Sequence, residues 1–204
     1  MSGSPINGAV RFIFDIGGVL IRHDDALLYE RIAARCEPCE GSPLSLSRAL
    51  QDPLLGTGHL SVRALHERLV ASFGFSGGFP EFLELWSSHF SEIPEMLPIV
   101  DRLSRHHRVA LFSNTNDAHW SFISRQFPVL AYAQASYLSY ELGLTKPDPA
   151  SFQRVLEKEG CAARECFFVD DKAENVAAAR AAGMIAHGFT SPSNFEAALS
   201  DYGI

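Results

Sequence analysis

Two kinds of hydrophobic pattern divide the chain. Short unbroken apolar runs, rich in β-branched and aromatic residues, occupy 10–14, 108–112, 166–169 and 184–187, with a weaker one at 133–138. Runs too short for a helix and without polar alternation predict strands covered on both faces, as in a parallel sheet. Between and after them, apolar residues recur at helical spacing over 117–126, 150–159, 174–182 and 194–200. Pro149 suits the first turn of the helix it opens, and Gly160 and Gly183 suit helix C-termini. Strands alternating with helices of this length predict an α/β fold, doubly wound around a mainly parallel sheet.

The stretch from about 23 to 95 follows a different pattern. Helical periodicity marks 26–36, 44–51, 61–73 and 80–90, with no convincing strand, and Ser61 is placed to cap the third of these helices. Clusters such as Gly41-Ser42-Pro43 and Ser76-Gly77-Gly78 separate them. A small all-helical insertion directly after the first strand predicts a cap over that strand's C-terminal end, where α/β sheets bind ligands. The expected division is a core of residues 1–22 and 96–204 and a cap of residues 23–95.

Composition narrows the partners. The net charge is −7 over 204 residues and no Lys/Arg run stands out, which argues against a nucleic-acid partner. No apolar run approaches the roughly 20 residues of a membrane-spanning helix, and the first residues lack the pattern of a signal peptide, so a cytoplasmic protein is expected. Cys36-Glu-Pro-Cys39 has the spacing of a zinc or redox half-site. Cys161 and Cys166 supply no matching pair, and reduced thiols are the expected state.

The polar residues that follow the strands carry the chemistry. The first strand runs into Asp15-Ile16-Gly17-Gly18, a carboxylate at the sheet edge followed by a pliable turn. The second ends in Ser113-Asn114-Thr115-Asn116 before a helix, a junction of small donors and a helix N-terminus that suits phosphate. Lys146 stands in a loop before another helix and offers a compact positive charge. Strand 166–169 runs straight into Asp170-Asp171, with Asn175 about one helical turn beyond. Adjacent acids at a strand end repel unless a cation is near, and Mg²⁺ favours one or two carboxylates together with phosphate oxygens.

Phe14-Asp15-Ile-Gly-Gly-Val-Leu, Leu111-Phe-Ser113-Asn114-Thr115, Lys146-Pro147 and Val169-Asp170-Asp171-x-x-x-Asn175 together resemble the haloacid dehalogenase-like (HAD) hydrolases, in order and across nearly the whole chain. The segments around Ser113 and Lys146 are similar to the branch holding α-D-glucose-1-phosphate phosphatase and the phosphatase domain of soluble epoxide hydrolase. The resemblance implies a Rossmann-like core and a Mg²⁺-dependent phosphatase for a small phosphorylated metabolite, such as a sugar phosphate. It makes Asp15 the nucleophile that forms an aspartyl-phosphate. Mg²⁺ would be held by Asp15, the Gly17 carbonyl and Asp171, with Asp170 orienting its water. Ser113, Asn114 and Lys146 would bind the phosphoryl oxygens, and Asn175 would support the acidic pair.

Gly17 departs from that pattern. Most phosphatases of the family carry a second Asp there, acting as general acid and then base, although the sugar-phosphatase branch commonly has Gly. General acid–base catalysis contributes about 10²–10⁴-fold, a loss that an easily departing group tolerates best. His23, Asp24 or a cap residue are candidates to supply the proton, and the sequence selects none of them. Two other readings stay open. A 2-haloacid dehalogenase would use the same Asp on carbon without a metal, leaving Asp170-Asp171 unexplained. A non-catalytic binder of a phosphometabolite or partner would account for Gly17 but not for the otherwise complete set.

Overall fold

In the computed structural model, which describes residues 10–37 and 43–204, the strands are β1 (Arg11–Phe14), β2 (Ile21–His23), β3 (Phe90–Glu92), β4 (Arg108–Ser113), β5 (Ala135–Leu138), β6 (Cys166–Asp170) and β7 (Ile185–Gly188). Five of them form one sheet in the order β5-β4-β1-β6-β7, and every pairing in it is parallel. β1 is central, and Phe12, Ile13 and Phe14 are inaccessible to solvent. Its unbroken apolar run follows from that position, because both faces of a central parallel strand are covered. The register sets Phe14 beside Leu111 of β4 and Val169 of β6. The residues just beyond these three therefore leave the sheet at one edge, and the Asp15 N–H donates to the Val169 carbonyl at 2.8 Å.

The segment between β2 and β3 is helical throughout its described elements: α1 (Asp25–Ala33), α2 (Pro43–Leu50), α3 (Pro53–Gly56), α4 (Val62–Phe73) and α5 (Phe79–Trp86). Ser61 accepts from the Ala64 N–H and opens α4, while Gly74 closes it in the left-handed region at φ 58°. Leu28, Ile32, Leu65, Leu69, Phe82 and Trp86 pack into an apolar cluster of their own, apart from the two that flank the sheet. The helical pattern at 80–90 predicts a longer α5 than is found. It ends at Trp86, and Phe90–Glu92 pairs antiparallel with Ile21–His23, His23 opposite Phe90. This ribbon ties the two ends of the helical segment together. Strands of three residues leave no alternation for a sequence to display.

The other helices, α6 (Met96–Ser104), α7 (Asp117–Gln126), α8 (Ser139–Leu142), α9 (Pro149–Glu159), α10 (Ala173–Ala181) and α11 (Pro192–Asp201), alternate with the strands of the large sheet. Phe12, Phe14, Leu111, Phe167 and Val169 turn one way, onto α6 and α11 residues such as Met96, Val100, Phe195 and Leu199. Ile13, Ala110, Phe112 and Phe168 turn the other way, onto Phe152 and Val155 of α9 and Val176 and Ala179 of α10. The period of two thus feeds two apolar layers, one on each face. Cys161 and Cys166 are thiols with sulfurs 3.3 Å apart, and Cys39 lies outside the described residues. Among the described residues, no helix is long and apolar enough to cross a membrane.

Candidate active site

Asp15, Ser113 and Asp170 leave β1, β4 and β6 at the same sheet edge because the register aligns those strands. Lys146 reaches in from the loop before α9 and is 4% exposed. Its Nζ lies 3.0 Å from Asp15 Oδ1 and 2.6 Å from Asp170 Oδ2, and it donates to the Phe112 carbonyl at 2.8 Å. Asp170 is sealed from solvent. It also accepts from the Lys172 N–H at 2.9 Å and from Asn175 Nδ2 at 2.9 and 3.1 Å. A buried carboxylate is stable only when its lone pairs are used in this way. Asp15 Oδ1 accepts from the Ile16 N–H as well, at 2.7 Å. Burial pushes the Asp15 carboxyl above the ordinary carboxylate range; Lys146 opposes that, and the charge of Asp170 adds to it.

One ammonium faces more negative charge than it can balance. Asp15, Asp170 and Asp171 each bring a carboxylate oxygen within 4.8 Å of the others. Asp171 is exposed, and the turn after β1 passes directly against it: a Cβ on Gly18 would stand 2.5 Å from Asp171 Oδ2. Gly18 has φ +78°, so the turn needs glycine for its backbone and for its closeness to that carboxylate. An all-oxygen set with surplus negative charge fits a hard divalent cation.

The loop after β4 is anchored from two sides. Asn114 Oδ1 accepts from the Lys146 N–H and its Nδ2 donates to the Lys146 carbonyl, both at 2.8 Å. Its carboxamide therefore fixes the backbone that carries the ammonium. Ser139, fully buried, accepts from the Thr115 N–H at 3.0 Å and donates to the Thr115 carbonyl at 3.1 Å. Nothing in the sequence marks Ser139, because its partner lies across the sheet on the neighbouring strand's loop. Asn116 caps α7 by accepting from the His119 N–H at 3.0 Å.

These groups open into a cavity of about 450 Å³, whose far side is formed by the helical segment and the ribbon. Tyr29, Gln51, Thr57, Trp86 and His89 line that side. Three imidazoles gather there with one carboxylate. His23 Nδ1 is 3.0 Å from Asp25 Oδ1, and His89 Nε2 is 3.9 Å from the same oxygen. The hydrogen bond to Asp25 holds His23 above its ordinary value and Asp25 below its own. Burial drives His89 down to about 4. His119 is driven to about 3 by burial, with His89 nearby adding to the effect; its ring stacks on Trp86. His89 Nδ1 is buried without a hydrogen-bond partner among the described residues. Asp24, a neighbour of His23 in sequence, caps α1 by accepting from the Leu27 N–H at 2.9 Å.

Known proteins resemble this chain in sequence and in fold. The 31%-identical D-ribitol-5-phosphate phosphatase of Bacteroides thetaiotaomicron aligns over 129 residues, 60% of this chain and 63% of that protein. A shorter stretch of 43 residues is 49% identical to the sesquiterpene phosphatase astK of Aspergillus oryzae, covering 21% and 22% of the two chains. The matched stretches thus span less than two thirds of these curated relatives. A wild-type HAD family enzyme of Bacteroides thetaiotaomicron, in complex with magnesium and inorganic phosphate, superposes with a TM-score of 0.79 at 25% identity, covering 90% of this chain and 96% of that one. A 2-haloacid dehalogenase from Pseudomonas syringae shares the fold, with a TM-score of 0.67 at 20% identity over 95% of this chain and 99% of its own. The family model for haloacid dehalogenase-like hydrolases matches residues 11–183, so the chain belongs to that family of hydrolases.

Proposed function

We propose that this protein is a Mg²⁺-dependent phosphatase that hydrolyses a small phosphomonoester, with a sugar or polyol phosphate as the favoured class. The observation that carries this reading is the Asp15–Lys146–Asp170 cluster, buried on the floor of a cavity beside a third carboxylate. A carbon-directed dehalogenase has no use for three clustered acids and their fitness for a hard cation. The named relatives act on phosphate esters of alcohols, which is consistent with the same class here.

In this reading Asp15 is the nucleophile. Lys146 and the Ile16 N–H hold one of its oxygens, which leaves the other to attack phosphorus. Lys146 also offsets charge on the phosphoryl oxygens, and Ser113 lies beside them at the end of β4. Asn114 acts through Lys146, whose main chain it holds from both sides. Asp15 and Asp171, with the Gly17 carbonyl, would hold Mg²⁺, which when bound supplies charge neutralisation for the phosphoryl group. Asp170, locked by Lys146 and Asn175, keeps the acidic edge rigid. Residues 23–95 serve as the cap, closing the cavity and shaping it around the alcohol. Covalent catalysis through Asp15 replaces one hard displacement by two easier ones.

Phosphate release from a panel of sugar, polyol and nucleoside monophosphates tests the reading, with Mg²⁺, with EDTA, and with Asp15→Asn. We expect release with Mg²⁺ that EDTA abolishes and that Asp15→Asn lowers by at least about 10⁴-fold, the scale seen when a covalent nucleophile is removed. Folded protein that releases phosphate from no compound on the panel sinks the proposal.

A further inference from the structure

Hydrolysis of an alkyl phosphate needs a proton for the departing alkoxide, and among the described residues the carboxyl groups on the floor of the cavity are committed elsewhere. Asp15 is the nucleophile, and Asp170 is bound to Lys146, Asn175 and the Lys172 N–H. Among the other candidates, Asp24 is committed to capping α1. His119 has one nitrogen 3.1 Å from Asn116 Nδ2 and the other 3.0 Å from the Trp86 carbonyl.

His23 differs from these. Its Nδ1 faces Asp25 Oδ1 at 3.0 Å, so Nδ1–H donates to the carboxylate and Nε2 is left for another partner. The ring stands against Gly17, two residues beyond the nucleophile. A Cβ on Gly17 would lie 2.9 Å from His23 Cδ2 and 3.3 Å from Nε2, so a side chain there would require the ring to move. Gly17 is not in the left-handed region, so its backbone would accept other residues, and the three atoms nearest to an added Cβ all belong to the His23 imidazole. Both His23 and Asp15 line the cavity. The β2–β3 ribbon fixes this placement, since His23 pairs with Phe90 and the next N–H, that of Asp24, donates to the His89 carbonyl at 3.0 Å.

We propose that His23, oriented by Asp25, is the proton donor and acceptor of the reaction, its ring filling the volume that the missing side chain at Gly17 leaves. The inference rests on the phosphatase reading above. In the first half-reaction Asp15 forms a bond to phosphorus, the ester P–O bond breaks, and the alkoxide takes the proton from Nε2. In the second, water bonds to phosphorus, the Asp15–phosphorus bond breaks, and Nε2 takes the proton that water gives up. The net change converts ester and water into alcohol and phosphate, and His23 ends as it began. Asp25 is the positioning residue.

The test compares kcat on two esters in the full chain with Mg²⁺: D-ribitol 5-phosphate, whose alkoxide must be protonated, and 4-nitrophenyl phosphate, whose phenolate departs unaided. His23→Gln should lower kcat on the alkyl ester by about 10²–10³-fold, and on the aryl ester by no more than about tenfold. Gly17→Asp should be impaired on both esters because the ring blocks the new carboxylate. Gly17→Asp combined with His23→Ala should exceed His23→Ala alone by at least about tenfold on the alkyl ester. Equal losses on both esters in His23→Gln, or no recovery in the double variant, overturn the proposal. If the wild type is inactive on D-ribitol 5-phosphate, the alkyl ester it hydrolyses fastest takes its place, and inactivity on every phosphomonoester of the panel removes the phosphatase reading, and this inference with it.

Discussion

Asp170, on the floor of the cavity, is wholly buried and bonded through both oxygens to Lys146, Asn175 and a backbone N–H. His23, on the opposite wall, has a side chain 31% exposed and one charged neighbour at hydrogen-bond distance, while His89 keeps a buried nitrogen with no partner among the described residues. The contrast has a physical origin. Charges removed from water must be paired and fully hydrogen-bonded, so the floor tolerates one arrangement only. The wall is made of neutral or half-solvated groups, which can be left partly unsatisfied until a ligand arrives. The rigid, fully paired charges therefore sit on the sheet edge, and the partly satisfied groups sit on the ribbon and the ends of the helices that face it.

The sharpest way to break this contrast is Lys146→Met. It leaves Asp15 and Asp170 facing each other without a cation, and breaking a buried pair costs on the order of 3–5 kcal/mol. Denaturant unfolding should show that loss, and phosphate release should fall by at least about 10²–10³-fold. A variant as stable as wild type would mean that the floor is not organised around the ammonium.

Asn114→Ala probes the same region one step further from phosphorus. Losing both bonds to the Lys146 main chain should lower kcat by about 10–100-fold, the equivalent of one to two ordinary hydrogen bonds, with KM little changed. A change in KM alone would show that the carboxamide contacts substrate directly and does not act through Lys146.

The smallest expected effect on catalysis belongs to the wall. His89 and His119 are held neutral, with values of about 4 and about 3, whereas an unfolded imidazole takes up its proton near 6.5. The unfolded chain therefore binds more protons below that pH, and stability falls as pH drops from about 6.5 toward 4, with no contribution from these groups above 7. A thermal midpoint lower by roughly 10 °C at pH 5 than at pH 7 is the expected reading. His119→Gln should flatten that slope, and an unchanged slope would assign the acid sensitivity to the carboxylates of the floor.

Much of this was legible in the sequence, for a local reason. A buried parallel strand announces itself by an unbroken apolar run, and the polar residue at its end is the one delivered to the sheet edge. The α/β class and the delivery of Asp15, Asp170 and Asp171 to one sheet edge follow from such runs and the residues after them, while the family and the places of Lys146 and Asn175 follow from the resemblance of the motif set. The helical character of 26–36, 44–51 and 61–73 was equally readable, because one wet face and one dry face leave a period in the chain.

Tertiary structure alone decided the rest. The β2–β3 ribbon joins residues about 70 positions apart through strands too short to carry a pattern. Asn114 offers the same donor and acceptor to a phosphate or to a backbone, and only the fold directs it to Lys146. The choice of His23 over Asp24 turned on which side chain caps a helix and which lies against Gly17. Residue types and their order along the chain determine which elements form and what chemistry they carry. Which atoms meet is settled by packing between distant segments, where one side chain takes the space another lacks.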